Sequence, residues 1–169
     1  MLHLLQRPTV RLLLVGIVLL AVQTGFVAQF PVAGVRADVL LGASICGGIV
    51  GGAERGALAG FVLGLLFDLT LITPFGLSAL VYGLVAFSAG AIKALITVGH
   101  AWWLTTLLVV VGSVAGILLF AGVGTIIGQK GWIEWRLVPE GLVVAAVNAL
   151  IGVPLGRVMK WTLCLEREQ

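Results

Sequence analysis

The sequence predicts an all-α integral membrane protein in which six transmembrane helices form one domain over residues 1–169. Two observations predict this class. Of the 169 residues, 60% are hydrophobic and only 10% are charged, whereas a soluble domain carries about 25% charged residues. Apolar stretches also recur between short polar or aromatic segments, at the length of about 17 to 25 residues that a bilayer requires. So little polar surface cannot cover a soluble globule.

Hydropathy places the spans at residues 12–29, 39–52, 56–72, 75–92, 102–128 and 137–156. The first stretch follows two arginines, as a signal peptide would, but it exceeds the usual apolar region of about 7 to 15 residues and is predicted to be retained. The second span reaches only about 21 Å, so it is expected to extend, to tilt little or to thin the bilayer. The fifth, at about 40 Å, must tilt or emerge from the bilayer.

Basic residues near the span ends predict the orientation. Placing both termini in the cytoplasm puts seven of the ten basic residues inside and three outside. If spans two and three were one long helix, Arg55 would lie in hydrocarbon and only four basic residues would remain on the cytoplasmic side. We therefore reject that five-span alternative. The cytoplasmic residues are then Arg7, Arg11, Arg55, Lys93, Arg157, Lys160 and Arg167, and the external ones are Arg36, Lys130 and Arg136.

Glycine is the second strong signal, with 24 of the 169 residues, about twice its usual share. Small residues four apart let helices approach closely, and in lipid it is packing that holds helices together. The principal interpretation is tight packing within one bundle, and a docking face for a partner helix is the alternative. The residues that we call the glycine ladder are Gly48, Gly52, Gly56, Gly60 and Gly64, and similar pairs are Gly112 with Gly116, Gly124 with Gly128, and Gly152 with Gly156.

Asp68 is the only charged residue between Arg55 and Lys93. A lone carboxylate in the bilayer costs about 2.5 to 3.5 kcal/mol on insertion scales, so it should face protein or water. Its position about six residues before Pro74 places its Cα about 9 Å below the outer end of span three. The favoured interpretation is that it accepts hydrogen bonds from backbone amides at the following turn or reaches a neighbouring helix end. A ligand or partner contact and ion coupling are the alternatives.

That turn, Thr73-Pro74-Phe75-Gly76, is predicted to join spans three and four in a tight hairpin. Pro74 fixes φ and opens span four without an orphan amide, and Gly76 is expected to permit close helix approach. Phe75 should lie at the membrane interface. Ser78 and Tyr82 share one stripe of span four and are interpreted as interhelical hydrogen-bonding residues.

The remaining polar residues indicate no catalytic centre. HExxH, GxSxG and Gly-rich phosphate motifs are absent, and no base accompanies Ser44 in its span. Cys46 and Cys164 are too far apart for a disulfide and have no metal-binding neighbours, so no cofactor or metal is expected. The basic residues form no cluster that could follow a nucleic acid. Asn148 lies near the middle of span six, before Pro154, and either bridges helices or lines a polar pocket.

The central segment resembles the MreD family of rod shape-determining membrane proteins. The resemblance covers about residues 37–90, and Arg36-Ala37-Asp38-Val39-Leu40-Leu41 fits its beginning. Asp68, Pro74, Phe75 and Gly76 match the family's signature and are carried over as candidate binding residues whose role is unsettled. The residues that carry the resemblance are Gly64-Leu65-Leu66-Phe67-Asp68-Leu69 and Thr73-Pro74-Phe75-Gly76-Leu77-Ser78-Ala79-Leu80-Val81-Tyr82-Gly83-Leu84-Val85.

This resemblance implies a non-catalytic role in the bacterial elongation complex, which inserts lateral peptidoglycan and controls cell shape at the inner membrane. The expected partners are MreC, then MreB, RodA and a class B penicillin-binding transpeptidase in the wider complex, with membrane lipid around the bundle. It also implies a fold similar to the six-helix substrate-binding subunits of energy-coupling-factor transporters.

A vitamin-binding subunit of such a transporter is the alternative function. Its polar external pocket would have to come from the outer loops. These loops offer mainly Trp132, Trp135, Glu134, Arg36 and Lys130.

A third hypothesis is that the bundle binds a lipid-linked precursor near Asp68 or Asn148. This hypothesis is compatible with the first.

Overall fold

The computed structural model describes residues 8–25, 29, 37–71, 74–96, 102–128 and 137–163, the side chains of Trp102, Leu137 and Glu140 excepted. Within these ranges the chain forms six α-helices and no strand, which confirms the all-α prediction there. The helices are α1 Pro8–Gly25, α2 Val39–Gly51, α3 Ala53–Asp68, α4 Leu77–Leu95, α5 Trp102–Ile126 and α6 Leu137–Leu163.

Four helices are long and apolar enough to cross a membrane: α1, α4, most of α5 from Trp103 to Ile126, and most of α6 from Gly141 to Leu163. Helix α2 is also apolar but has only 13 residues, and α3 has 16. At about 1.5 Å per residue these two helices are about 20 and 24 Å long. The described helices are those of a membrane-embedded protein.

The short helix α2 lies at the centre of the bundle. Its residues from Val39 to Gly48 are all buried, and it packs against each of the other five helices. The Asp38 side chain caps its start, because Oδ1 accepts a hydrogen bond of 3.0 Å from the Leu41 N–H. Since protein surrounds α2, its length does not have to match the hydrocarbon thickness. Bilayer thinning is therefore not needed to accommodate it.

Helices α3 and α4 form an antiparallel hairpin whose backbones touch through glycine. A Cβ added to Gly60 would lie 2.5 Å from the Tyr82 carbonyl oxygen of α4, and one added to Gly48 would overlap the Ala86 carbonyl. From the other side, a Cβ on Gly90 would lie 2.6 Å from the Ala53 nitrogen. The ladder thus faces the chain's own helices α2, α3 and α4, and its members in such contacts are Gly48, Gly56, Gly60 and Gly64.

Gly52 is the exception in the ladder, and its assignment to helix packing is corrected here. It stands between α2 and α3 with φ of +85°, a value that favours glycine. No described atom lies within 4 Å of a Cβ added to Gly52. Its N–H donates to the Gly48 carbonyl at 3.0 Å, so Gly52 closes α2 and starts the turn into α3.

The other glycine pairs serve different purposes. Gly112 and Gly116 of α5 pack on side chains of α2, because an added Cβ would lie 3.1 Å from Ile45 and 2.9 Å from Leu41 respectively. Gly128 instead has φ of +91° and follows the end of α5. The pairing of glycines four apart is therefore not a uniform sign of close packing in this bundle.

Helix α6 continues to Leu163, seven residues beyond the predicted end of span six at Gly156. Pro154 lies inside the helix and does not end it. Leu155, Met159 and Leu163 recur every fourth residue and are all buried, which is the pattern of a packed helix face. Exposed basic residues between them lower the hydropathy, and this is why the predicted span ended too early.

One end of the bundle, which we call the cationic end, gathers positive charge. The Arg11 guanidinium of α1 lies 5.0 Å from the Trp161 ring centroid of α6, within cation–π range. Arg55 Nη1, at the start of α3, approaches the Leu163 carbonyl at the end of α6 at 3.5 Å. Helix starts and ends therefore alternate between the two ends, as in an up-and-down bundle. The basic residues described at this end are Arg11, Arg55, Lys93, Arg157 and Lys160.

Candidate functional site at the carboxylate end

Asp68 is the last residue of α3 and is only 3% exposed. Its Oδ2 accepts hydrogen bonds from the N–H groups of Gly76 at 2.8 Å and Ala79 at 3.3 Å, and its Oδ1 accepts one from Ser78 at 3.1 Å. The first amides of a helix have no partner within the helix, and the positive end of its dipole favours negative charge. Asp68 thus caps α4 from the preceding helix. We call this opposite end of the bundle the carboxylate end.

The position of Asp68 along α3 corrects the expected depth. Span three was predicted to continue to Ile72, but α3 ends at Asp68, and the Thr70 N–H donates to the Phe67 carbonyl at 2.9 Å in a turn. The carboxylate lies at the helix end and not about 9 Å below it. Both carboxylate oxygens accept hydrogen bonds from the three backbone amides. The buried carboxylate is therefore not an unpaired charge in lipid.

The turn that follows Asp68 differs in detail from its prediction. The Pro74 carbonyl accepts from the Leu77 N–H at 3.2 Å, and α4 begins at Leu77, so Pro74 belongs to the turn and does not open the helix. Gly76 has φ of +99°, and no described atom lies within 4 Å of an added Cβ. Glycine is therefore needed for backbone conformation and not for close approach. Phe75 is 65% exposed, and Thr73 lies outside the described residues.

A second set of polar residues, the Gln23–Asp38–Tyr82 cluster, ties three helices together. Tyr82 of α4 donates its hydroxyl proton to Asp38 Oδ2, directly before α2. Gln23 of α1 donates from Nε2 to the Ala37 carbonyl at 2.6 Å, and its Oε1 accepts from the Val39 N–H at 3.0 Å. Burial raises the pKa of the Asp38 carboxyl, and the Tyr82 hydroxyl opposes this shift.

Sequence reasoning singled out neither Gln23 nor Asp38 as a site residue. A signal existed for Asp38, because an acidic residue directly before an apolar run is typical of a helix N-cap. Gln23 carried no comparable signal. A single glutamine inside an apolar span does not show which neighbouring backbone it will meet.

An aromatic contact joins the two sets of polar residues. The rings of Phe67 and Tyr82 are stacked, with centroids 6.1 Å apart and planes inclined by 20°. Tyr82 thus makes the interhelical hydrogen bond expected of it. The Ser78 hydroxyl does not: it is fully buried and has no hydrogen-bonding partner among the described residues, so that part of the prediction is corrected. Ser78 contributes its backbone N–H to Asp68 instead.

Asn148 bridges helices in the middle of the bundle. Its Nδ2 donates to the Ser113 hydroxyl of α5 at 3.0 Å, and the residue is fully buried. Gly42 of α2 packs directly on this amide, since an added Cβ would lie 2.7 Å from Asn148 Oδ1. Of the two alternatives for Asn148, the structure therefore shows the helix bridge.

In this arrangement the polar side chains hold helices together, and the described groups form no catalytic or metal-binding set. The Ser44 hydroxyl donates to the Leu40 carbonyl of its own helix at 2.8 Å. In the part of the chain that the structure describes, no three His, Cys, Asp or Glu side chains lie close enough to hold a metal ion. Several residues considered above lie outside the described ranges: Arg7, Arg36, Lys130, Trp132, Glu134, Trp135, Arg136, Cys164 and Arg167.

Comparison with known proteins adds no relative. No protein-family model, no curated protein and no solved structure matches this chain. The resemblance to the MreD family thus stays a prediction from the sequence between about residues 37 and 90.

Proposed function

We propose that this chain is a non-catalytic membrane component of a bacterial rod complex, of the MreD type, which binds MreC and supports lateral peptidoglycan synthesis and cell-shape control. The observation that carries the proposal is the α3–α4 hairpin. The acid and the turn that resemble the MreD signature make one unit, because Asp68 caps the helix that follows Pro74, Phe75 and Gly76. This contact gives a physical reason for the spacing between the acid and the turn in this chain.

A scaffolding role agrees with how the polar groups are used. At the carboxylate end, Gln23, Asp38, Asp68 and Tyr82 bond to one another or to backbone groups. The vitamin-binding alternative would need such groups to face an external ligand pocket. Side chains engaged in holding helices together favour a rigid partner-binding bundle over a ligand receptor.

We further propose that all six helices lie in the bacterial inner membrane with both termini in the cytoplasm, in a fold similar to the substrate-binding subunits of energy-coupling-factor transporters. The cationic end supports this orientation, because basic residues concentrate on the cytoplasmic side of membrane proteins. Burial of the short helix α2 among the other five supports an insertion of the whole bundle.

Within this proposal MreC is the direct partner, and MreB, RodA and a class B penicillin-binding transpeptidase belong to the wider complex. The outer helices leave room for such neighbours. Large apolar side chains are exposed on α1, α5 and α6, including Val18, Val111 and Leu150. Such side chains must meet either lipid or another membrane protein.

Co-purification tests the proposal. The full chain is expressed with tagged MreC, extracted in mild detergent and recovered through the tag, with an unrelated tagged single-span membrane protein as the control. We expect near-equimolar recovery with MreC and none with the control, and restoration of rod shape in cells depleted of their own MreD. Failure of both, together with binding of a radiolabelled vitamin to the purified chain, would establish the transporter alternative.

A further inference from the structure

Pro154 lies inside α6 and deprives that helix of one backbone hydrogen bond. In an α-helix each carbonyl accepts from the N–H four positions later, and proline has no N–H to donate. The Leu150 carbonyl therefore lacks its α-helical donor. Among the described residues, no side chain donates to this carbonyl in its place. Helix α6 thus carries an acceptor whose donor has to come from another molecule.

This acceptor lies at the middle of the helix and on its outward face. Leu150 is 81% exposed, and Pro154, one turn further, is also exposed. A helical carbonyl lies between its own residue and the residue four later, so the Leu150 carbonyl shares this face. Since α6 runs from Leu137 to Leu163, thirteen positions separate Leu150 from either end. At mid-bilayer neither water nor a lipid acyl chain can donate a hydrogen bond, which favours a donor from a neighbouring helix.

Hydrogen bonds elsewhere in the chain indicate which side chain suits as the donor. Several helix hydroxyls are engaged locally, because Ser44, Ser88 and Thr162 each donate to the carbonyl four positions before them. A side-chain amide instead reaches a second segment, as Gln23 Nε2 does when it donates to the Ala37 carbonyl at 2.6 Å. An amide has two N–H donors and is not used up by its own helix. Asparagine or glutamine is therefore the donor that suits a freed backbone carbonyl.

A second copy of the described chain cannot supply this amide. Of the side-chain amides that the structure describes, those of Gln23 and Asn148 are buried, and Gln29 lies beyond the end of α1. The helix faces exposed in the described ranges thus present no asparagine or glutamine at mid-bilayer. The donor has to come from a different protein.

We propose that the outward face of α6 binds a transmembrane helix of another membrane protein, whose asparagine or glutamine amide donates to the Leu150 carbonyl. The face permits close approach, because Ala146, one turn before Leu150, is small and exposed. Val153 adds an apolar contact and is 60% exposed. The proposal rests on the membrane embedding of the chain and not on its partnership with MreC.

Binding of designed transmembrane peptides to the purified full chain tests this site. The protein is reconstituted in phosphatidylcholine vesicles, and the probes are two leucine–alanine helices of about 20 residues. One has asparagine at its central position and the other has leucine. Energy transfer between fluorophores on protein and peptide gives the two dissociation constants, at peptide concentrations where the peptides alone show no transfer. Their ratio is the readout, because changes that affect both peptides equally cancel.

Pro154→Ala is the principal variant, since alanine supplies the missing N–H and lets α6 satisfy the Leu150 carbonyl itself. Pro139→Ala is the matched control, because it removes a proline from the first turn of the same helix, where an amide has no helical partner. Val153→Trp keeps the proline and adds bulk on the outward face of α6. Val111→Trp adds the same bulk to the outward face of α5, where Val111 is 55% exposed.

We expect the unmodified chain to bind the asparagine peptide about three- to tenfold more tightly than the leucine peptide. Pro154→Ala should abolish this preference, and Pro139→Ala should retain it. Val153→Trp should weaken binding of the asparagine peptide by at least about threefold, and Val111→Trp by less than about twofold. If Pro154→Ala does not fold, the two tryptophan variants decide.

Three results would overturn the proposal. Equal binding of both peptides to the unmodified chain would mean that no acceptor on the bundle recognises the amide. A preference that persists in Pro154→Ala would assign the acceptor to another position. Equal weakening by Val153→Trp and Val111→Trp would mean that the peptide does not bind specifically to α6.

Discussion

Replacing Asp68 by alanine removes the acceptor of three backbone amides at the start of α4. The bonds from Gly76 and Ser78, at 2.8 and 3.1 Å, have good length, and the bond from Ala79 is longer at 3.3 Å. A hydrogen bond to a charged group contributes about 1.5 to 3 kcal/mol when it is protected from water. Counting the two shorter bonds at the lower end of that range, we expect Asp68→Ala to lower the free energy of unfolding by about 3 kcal/mol.

Unfolding by sodium dodecyl sulfate in mixed micelles, followed by tryptophan fluorescence, measures this loss. Asp68→Asn keeps one acceptor oxygen but loses the charge, so we expect about half the effect of alanine. Thr70→Ala is the control, because Thr70 is exposed in the same turn and its hydroxyl bonds only to the nearby Phe67 carbonyl among the contacts described. A loss in Asp68→Ala no larger than that in Thr70→Ala would refute the capping role.

Three further predictions concern packing, the polar cluster and orientation. Gly48→Ala should destabilise the bundle by about 1 to 3 kcal/mol, because its Cβ would overlap the Ala86 carbonyl. Gly156→Ala is the control, because no described atom lies within 4 Å of a Cβ added there. It should be neutral or stabilise the bundle by up to about 1 kcal/mol in the same detergent titration. Equal changes in unfolding free energy for Gly48→Ala and Gly156→Ala would contradict the packing argument. Tyr82→Phe removes the hydrogen bond to Asp38 and should cost about 1 to 2 kcal/mol, and an unchanged unfolding midpoint would show that the cluster does not tie the helices. A periplasmic reporter should be active within residues 129–136 and inactive behind Gln169, and the reverse pattern would contradict the proposed orientation.

The helical class was predictable because hydropathy responds directly to the energy of transfer into lipid. Six helices were expected and six lie in the described ranges, but only four of them have the length and hydropathy of a membrane span. The end of α3 was not predictable, because it depends on a side-chain interaction. The Asp68 side chain accepts hydrogen bonds from the amides of α4, and α3 ends at Asp68. By hydropathy alone the helix would continue, because Leu69, Leu71 and Ile72 are apolar. Hydropathy averages over such a residue and carries the span beyond it.

The candidate site was predictable only in part. Asp68 stood out because an acid in an apolar run demands partners, and its capping of the next helix was the favoured interpretation. Predicting the Gln23–Asp38–Tyr82 cluster would have required knowing which helix ends lie next to one another. That information lies in tertiary packing, since Gln23 and Tyr82 belong to helices that are far apart in sequence.

The position of α2 explains why the glycine ladder is turned inward. A helix of 13 residues is too short for the hydrocarbon core by itself, so it is best placed where protein and not lipid surrounds it. Enclosing it requires α4 to approach both α2 and α3 closely. Gly48 of α2 and Gly60 and Gly64 of α3 allow that approach. The same contacts cover every ladder glycine except Gly52 with the chain's own backbone, so a partner helix cannot dock on them without displacing α4. Crosslinkers placed at Gly48, Gly56, Gly60 and Gly64 should therefore join α2, α3 and α4 of one chain. The exposed apolar faces of α1, α3, α4, α5 and α6 stay open to a neighbouring protein.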